Sequence, residues 1–434
     1  MIYVVKAGDT AASIAAEYGV SADRLVYDNQ IRNETSLVVG QALLILIPEI
    51  VHQVMPGETL TRIAAAYGVT VTDIIRNNPF ILDSGILGTG ETLVIRYRPE
   101  EEGEGYENPR VLNGYLYPFA EGYIIGQSMP YLTGMYLFSY GFTLDGALIL
   151  PAGQENWLMM AKTLGVERVL VLTPLTESGT FNSNQVSALV NDPQLQETLT
   201  QNLLEEMEKQ GYGALDVDFE FVPPKDRDAY VEFLRRLTER MHAAGYPVSV
   251  ALVPKTSDDQ QGDLYQGIDY GAIGEVADSV LVMAYEWGYT FGPPMAVAPL
   301  DQVTRVVDYA VSRIAPAKID LGIPNYGYDW QLPYERGASR ARVLGNVEAV
   351  YLAARTGSEI QFDEQALSPY FYYTENGREH MVWFEDVRSM RERFRLIARY
   401  GLRGAGYWNL MRPFRANWLL WNATFRTVPG ETAG

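Results

Sequence analysis

Eight apolar, strand-like runs alternate with helical patterns over the last 325 residues, and this alternation constrains the fold more than any other feature. The runs lie at 111–118, 135–142, 168–173, 214–221, 247–253, 278–285, 319–325 and 404–409. Helical patterns separate them, as at 228–243 and 386–400. Strands joined through helices form parallel sheets, and a closed barrel of eight such strands typically takes about 250 residues and tolerates insertions. The sequence therefore predicts an α/β fold, a (β/α)8 barrel over residues 110–434.

The longest gap between predicted strands lies between the seventh and the eighth. It contains the aromatic run YFYYTENGREHMVWF, which is interrupted by Asn376-Gly377. Asn-Gly between apolar residues is typical of a tight two-residue turn between antiparallel strands. We therefore predict an inserted β-hairpin region at this point of the barrel.

The first 97 residues contain a tandem repeat. Residues 3–46 and 51–95 align in register. The matched positions include Gly8 with Gly57, Thr10 with Thr59, Ile14 with Ile63, Tyr18 with Tyr67, and Asn29 with Asn78. In each copy a short strand, a glycine turn and two helices precede a last strand. We predict two small βααβ modules, at 1–48 and 49–97, which are small for a catalytic cleft. They act either as ligand-binding modules or as a scaffold or dimerisation unit.

An acidic segment separates the repeats from the predicted barrel. Residues 98–109 read RPEEEGEGYENP and contain five Glu together with Gly and Pro. This composition predicts an extended, solvated linker, because like charges repel and Gly and Pro disfavour regular structure.

Composition excludes several classes of function. The 34 Lys and Arg residues are outnumbered by 54 Asp and Glu, which gives a net charge of −20. This deficit of cations argues against nucleic-acid and membrane-surface partners. The chain has no Cys, so disulfides and thiolate-bound metals are excluded, and with three His (His52, His242 and His380) we expect neither a metal nor a cofactor. The N-terminus MIYVVKAGDT lacks the pattern of a signal peptide, and no apolar stretch reaches membrane-spanning length.

Three acidic residues alternate along the fourth predicted strand, as Asp216, Asp218 and Glu220. Alternate residues of a strand share one face, which in a barrel points inward, and the carboxyl end of the strand opens on the active-site mouth. Carboxylates this close in a partly desolvated place cannot all ionise, so at least one pKa must be raised. A ladder of carboxylates paired with Lys or Arg is the structural alternative to a catalytic site.

Two sets of motifs carry a resemblance to known families. The repeats, with V-x-x-G-[DE]-T, I-A-x-x-Y-G-V and an Asn on the second helix, resemble LysM modules, which bind glycans containing N-acetylglucosamine. The barrel resembles glycoside hydrolase family 18, the chitinase-like family with a TIM barrel, whose fourth strand carries D-x-x-D-x-D-x-E. Asp216, Asp218 and Glu220 match its last three positions, and Gly213 departs from its first. The family's M-x-Y-[DN] motif is present as Met283-Ala284-Tyr285-Glu286, with Glu in place of the usual Asp.

The resemblance implies a mechanism for these residues. Glu220 would be the general acid, and the 2-acetamido group of the substrate would serve as the nucleophile, so that the reaction retains the anomeric configuration. Asp218 would orient the acetamido group, Tyr285 would hydrogen-bond its oxygen, and Asp216 would share a proton with Asp218.

Further residues are candidates for sugar binding. Trp408, which ends the eighth predicted strand, would form a stacking floor for a sugar, although core packing is an equal alternative for a tryptophan. The remaining substrate-binding candidates are Met283, Glu286, Tyr115, Phe138 and Tyr326. For the three aromatic residues among them, binding and packing are equally open.

The order of modules is similar to that of the spore cortex-lytic N-acetylglucosaminidases of endospore formers. The resemblance implies a retaining β-N-acetylglucosaminidase that acts as a monomer on peptidoglycan of the spore cortex or cell wall and resides there without a recognisable signal peptide. The alternatives are a chitinase or chitooligosaccharide hydrolase, and a non-catalytic lectin on the same barrel. Retention of the acid Glu220 argues against the lectin.

Overall fold

A computed structural model of the chain describes residues 1–32, 37–85, 87–101, 103, 105–176 and 178–430. Its centre is a closed barrel of eight parallel strands, in which the first strand pairs with both the second and the eighth. The strands are Val111–Leu116, Gly134–Phe142, Glu167–Leu172, Ala214–Val217, Val248–Leu252, Ser279–Val282, Ile319–Pro324 and Gly404–Trp408. The prediction of a (β/α)8 barrel is therefore confirmed. Only the fourth and sixth strands end clearly earlier than predicted, at Val217 and Val282.

Helices surround the barrel and cover the outward faces of its strands. They are Gly122–Ser128, Glu155–Leu164, Ser183–Asn191, Pro193–Gln210, Arg227–Ala243, Tyr270–Val276, Leu300–Arg313, Val387–Tyr400 and Arg415–Thr424. The apolar faces of these helices and the barrel strands form one large buried core. Within the described ranges, no helix has both the length and the apolar character that crossing a membrane requires.

The insertion between the seventh and eighth strands is larger than the predicted hairpin. The hairpin itself is confirmed, as Ser368–Glu375 and Arg378–Trp383, and both turn residues have positive φ, 53° at Asn376 and 73° at Gly377. Three more antiparallel strands extend it to a five-stranded sheet: Gly327–Gln331, Arg342–Leu344 and Gln361–Asp363. A helix, Asn346–Thr356, packs on this sheet and has a small core of its own. We call this unit, residues 327–383, the inserted subdomain.

Each N-terminal repeat forms a two-stranded antiparallel sheet with helices packed on it. The first has strands Ile2–Val4 and Ala42–Leu44 and helices Ala11–Tyr18 and Ala22–Asp28. The second has strands Pro48–Gln53 and Thr92–Tyr97 and helices Leu60–Tyr67, Val71–Asn77 and Phe80–Ser84, of which the last was not predicted. Thr10 and Thr59 cap the first helices, and Gly19 and Gly68, which have a left-handed backbone, end them.

The repeated asparagine has the same structural role in both modules. The Asn29 side chain accepts from the backbone N–H of Leu44 at 2.7 Å and donates to its carbonyl at 2.8 Å. Asn78 does the same with Val94, at 2.9 and 2.7 Å. This side chain thus joins the second helix to the last strand, which explains its presence in both copies.

The repeats pack directly against the barrel and the inserted subdomain. The Arg415 side chain, only 8% exposed, donates to the carbonyl of Tyr27 at 2.8 Å and lies over its ring. In the second repeat, Arg76 donates to the carbonyl of Pro130 at 2.6 Å. The first repeat also contacts the inserted subdomain, where the Ile360 N–H donates to the carbonyl of Val39 at 2.9 Å. The modules are therefore docked on the barrel and the inserted subdomain through partly or fully buried polar contacts.

The segment predicted as a solvated linker also makes such contacts. Glu101 forms an ion pair with Arg395 at 2.5 Å, and Glu100 has a buried side chain that pairs with the N-terminus and with Arg391. These pairs tie the segment to the helix Val387–Tyr400 of the barrel.

Two glycines at equivalent positions of the repeats give a test of this docking. Gly40 and Gly90 have nearly equal φ, 83° and 86°, so alanine strains both backbones alike, by about 1–2 kcal/mol. A Cβ at Gly40 would lie 1.8 Å from the carbonyl oxygen of Ile360, whereas one at Gly90 would meet nothing within 4 Å. We expect Gly40→Ala to lower the free energy of unfolding by about 1–3 kcal/mol more than Gly90→Ala does. Denaturant unfolding measures the difference, and equal losses would contradict the docked arrangement.

Candidate active site

The three acidic residues of the predicted motif lie at, and just beyond, the end of the fourth barrel strand. Asp216 is on the strand and fully buried, Asp218 follows it and is 6% exposed, and Glu220 is exposed at the barrel mouth. The strand ends at Val217. The N–H of Asp218 makes one more backbone hydrogen bond to the third strand, and the chain then leaves the sheet. Exposure thus increases along the series from the barrel interior to its carboxyl end.

Asp216 is held by two hydroxyl groups inside the barrel. Tyr115 Oη donates to its Oδ2 at 2.9 Å, and Ser249 Oγ donates to its Oδ1 at 2.5 Å. Burial raises the pKa of Asp216 to about 7, although the two hydrogen bonds favour the ionised form and lower it. Near neutral pH this group is therefore close to the midpoint of its titration.

Asp218 and Glu220 have raised pKa values for related reasons. Burial raises the pKa of Asp218 well above its usual range, and the charges of Glu220 and Asp216 raise it further. Desolvation by the walls of the barrel mouth, followed by the charge of Glu286, raises the pKa of Glu220. The buried Oδ1 of Asp218 has no hydrogen-bond partner among the described residues. The raised pKa favours the protonated form of Glu220 at the mouth. Behind it, Oδ1 of Asp218 can accept a hydrogen bond from a ligand.

A polar network lies beneath the carboxylates. Asp320 forms an ion pair with Arg403, and Asn113 Nδ2 donates to Asp320 at 3.0 Å and to Tyr136 Oη at 3.3 Å. The negative charge of Asp320 contributes to the raised pKa of Asp216. This network helps polar side chains to be tolerated inside the barrel, because each of the four has a hydrogen-bonded partner, although Oδ1 of Asp320 has none among the described residues.

The end of the sixth strand contributes the second motif to the same place. Tyr285 is half-buried, and its pKa is raised well above the usual range by burial and then by the charges of Asp218 and Glu220. Glu286 has a left-handed backbone with φ of 67°, and its Oε1 accepts hydrogen bonds from Tyr326 at 2.9 Å and Tyr328 at 3.4 Å. The motifs that follow strands four and six therefore line the same cleft.

Trp408 lies at the base of the cleft within an aromatic cluster. Its ring is 4.8 Å from that of Phe138 and 5.9 Å from those of Tyr115 and Tyr117, all at steep angles. Edge contacts of this kind fix the indole ring while one side stays open. Trp408 is half-buried and lines the cleft, so it both packs against the aromatic cluster and forms part of the cleft wall.

The carboxylates open into a cleft of about 660 Å³, a volume in the range of small-molecule sites. Of the predicted site residues, the cleft is lined by Tyr115, Asp218, Glu220, Met283, Tyr285, Glu286 and Trp408. A smaller cavity of about 170 Å³ adjoins Asp218 and Glu220 on another side and is lined by Phe138. Tyr326 is not among the lining residues; it is buried and supports Glu286.

Several residues of the site escaped sequence reasoning. Phe221, Tyr265 and Tyr289 line the cleft. Tyr265 and Tyr289 come from loops, where no periodic pattern indicates their direction. Phe221 fell in the predicted strand 214–221, on the face opposite to the three carboxylates, but the strand ends at Val217 and Phe221 lies beyond it. Phe221 and Tyr289 are 52% and 41% exposed, which leaves their rings available to a ligand. The sequence does single out Ser249, because it is a polar residue within an otherwise apolar strand.

The departure at Gly213 has a steric reason. A Cβ at this position would lie 1.8 Å from Oε1 of Glu167, which projects from the third strand into the space beside it. A side chain at 213 would therefore require Glu167 to move.

Among the described residues, no group of three or more acidic or histidine side chains is arranged to hold a metal ion.

The raised pKa of Asp216 predicts a pH dependence of stability. An unfolded Asp titrates near pH 3.9, so between about pH 4 and 7 the folded state binds the proton more tightly and stability falls as pH rises. Asp216→Asn stays neutral and keeps the shape of the side chain. We expect it to remove up to about 4 kcal/mol of this decline, measured by urea unfolding at several pH values. The exposed Asp259→Asn is the control, and the same slope in both variants would contradict the assignment.

Comparison with known proteins agrees with this geometry. The model of glycosyl hydrolases family 18 matches residues 178–412, and the LysM domain model matches 3–46 and 52–96. The chain is 37% identical to the cortical fragment-lytic enzyme of Bacillus subtilis (strain 168), over 98% of both proteins. The crystal structure of the Bacillus megaterium spore cortex-lytic enzyme SleL superposes with a TM-score of 0.83 and 35% identity, and covers 99% of this chain and 98% of that one.

More distant structures share the barrel alone. A chitinase from Chromobacterium violaceum aligns with 72% of this chain and 98% of its own, with a TM-score of 0.66 and 24% identity. At this identity the likeness supports the fold only. The family model, the near full-length relatives and the carboxylates at the end of the fourth strand agree, and the chain is a glycoside hydrolase that belongs to family 18.

Proposed function

We propose that the chain is a retaining β-N-acetylglucosaminidase that hydrolyses peptidoglycan of the spore cortex. The observation that carries the proposal is the graded series of Asp216, Asp218 and Glu220, with raised pKa values, at the mouth of a cleft that Tyr285 also lines. The names of the near full-length relatives, which are cortical fragment-lytic enzymes, support the choice of substrate.

Glu220 is the general acid in this proposal. Its raised pKa favours the protonated form that an acid needs, and its exposed position at the barrel mouth lets it reach the glycosidic oxygen. After the leaving group departs, the same carboxylate removes a proton from water. The cleft and the smaller cavity both border this acid and give room for sugars next to it.

The nucleophile is the acetamido oxygen of the substrate. Asp218 has a buried, unpartnered Oδ1 that an acetamido N–H can satisfy, and Tyr285 offers a hydroxyl to the acetamido oxygen. As positive charge develops on the cyclic intermediate, an ionised Asp218 stabilises it, and Asp216 takes up the displaced proton. The hydroxyls of Tyr115 and Ser249 keep Asp216 in position for this exchange.

The remaining modules bring the enzyme to its substrate. We propose that the two repeats bind the glycan and that the aromatic cleft, with Trp408 as its floor, binds the sugars next to the cut bond. Two linked modules raise the overall affinity without new contacts, because binding of the first concentrates the second. The enzyme is proposed to reside in the spore coat or cortex and to act as a single chain.

The products of digestion test the reaction. With purified cortex fragments, we expect new reducing ends of N-acetylglucosamine, first released as the β anomer, as seen by proton NMR of an early time course. Reducing ends of muramic acid, or the α anomer, would contradict the proposed specificity or the retention. Faster cleavage of chitooligosaccharides than of cortex fragments would favour a chitinase instead.

The acid assignment is tested with Glu220→Gln. We expect kcat to fall by about 10²–10⁴-fold, because a general acid and base is lost, while glycan binding is kept. Glu239→Gln, on the exposed side of the helix Arg227–Ala243, is the matched control and leaves kcat unchanged. If Glu220→Gln retains its rate, Glu220 is not the acid.

A further inference from the structure

A groove between the first repeat and the inserted subdomain contains a cluster of arginines outside the catalytic cleft. It has a volume of about 680 Å³. Its charged and aromatic lining consists of Arg32, Arg342, Glu348, Tyr351, Arg355 and Arg412. We call it the arginine groove. We propose that it binds the carboxylates of the peptides attached to the glycan, an inference that rests on peptidoglycan being the substrate.

The charge of the arginine groove contrasts with that of the whole chain. The charged residues among its described lining are four Arg and one Glu, whereas the whole chain carries a net charge of −20. A protein of that charge repels an anionic polymer, so a local excess of cations determines where anionic parts of the polymer can approach. Arginine suits carboxylates in particular, because its planar fork donates two parallel hydrogen bonds.

The arginines are only partly neutralised by the protein. Arg342 pairs with Glu348 at 3.1 Å and with Asp329 at 3.4 Å, and Arg412 pairs with the same Glu348 at 3.5 Å. Arg355 is 65% exposed and pairs with Glu375 at 3.3 Å, a surface pair of the kind that contributes little. Within the described parts of the chain, no carboxylate lies within ion-pair distance of Arg32. Cationic donors therefore remain available to a ligand.

The walls of the arginine groove are fixed by contacts between the two units. The guanidinium of Arg32 lies 4.0 Å from the ring centre of Tyr351, and Tyr351 Oη donates to the carbonyl of Gln30. Nearby, Ile360 donates its N–H to the carbonyl of Val39. A site held in this way loses little conformational freedom when a ligand binds.

The arginine groove and the cleft open at the same end of the barrel. Arg412 comes four residues after Trp408, and its carbonyl accepts a hydrogen bond from Asn325 Nδ2 at 2.9 Å, just beyond the seventh strand. Loops that follow the carboxyl ends of strands seven and eight therefore connect the two sites. A polymer in the cleft can thus present its side groups to the arginine groove without leaving the enzyme surface.

A probe without a glycosidic bond separates this inference from the proposed reaction. N-acetylmuramyl-tetrapeptide cannot be hydrolysed by a glycosidase, and its dissociation constant can be measured by titration calorimetry at low salt. We expect amidation of its peptide carboxylates to weaken binding by about tenfold, and added salt to reduce the difference. Equal affinity for the free and the amidated peptide would overturn the inference even if the enzyme cleaves cortex.

Two exposed arginines supply the variants. We expect Arg32→Gln and Arg355→Gln each to weaken binding of the free peptide by about threefold to fivefold, without effect on the amidated one. Arg96→Gln, an exposed and ion-paired arginine of the second repeat, is the matched control. Arg32→Lys keeps the charge but loses the planar fork, so we expect its affinity to lie between those of the unsubstituted chain and Arg32→Gln, which separates the contribution of charge from that of geometry. If both Gln variants bind like Arg96→Gln, the arginine groove is not the site.

Discussion

The placement of three carboxyl groups in one short segment, two of them buried and the third at the barrel mouth, is the constraint on which the rest of the site depends. Asp216, Asp218 and Glu220 stand in increasing contact with water, and the closed barrel, with the hydroxyls of Tyr115 and Ser249, fixes the first of them. Neighbouring carboxylates in a desolvated place cannot all ionise, so the pKa of each is raised and the protonated form of the acid at the mouth is favoured. The energetic cost of burying these groups is carried by a large apolar core around the barrel.

The same barrel end also organises the accessory units. The inserted subdomain leaves the barrel after the seventh strand, and the first repeat packs against both it and the helix that begins at Arg415. Buried arginines and backbone hydrogen bonds make this a specific interface rather than a flexible tether. Glycan binding by the repeats and hydrolysis in the cleft would then occur in a fixed geometry on one polymer, which favours repeated action on the same strand.

The net charge of the chain and its local clusters of charge have different functions. The net charge of −20 gives no general attraction to an anionic polymer. Locally, the arginine groove offers cations beside a cleft that is lined by carboxylates and aromatic rings. The cleft would bind the sugars and the arginine groove the peptide carboxylates of a glycan that bears peptides. Substrate selection would therefore lie in the placement of charges rather than in their sum.

Sequence alone determined the barrel, the two repeats and the motif residues, because strand periodicity, glycine turns and alternating carboxylates are local signals. The Asn376-Gly377 hairpin was found in the same way, but the sheet around it pairs distant strands and left no local pattern. Tertiary structure alone decided that Tyr326 supports Glu286 rather than lining the cleft, and that loop aromatics such as Phe221 line it. It also revealed the docking of the repeats and the arginine groove. These features depend on contacts between residues far apart in the chain, which no short-range pattern encodes.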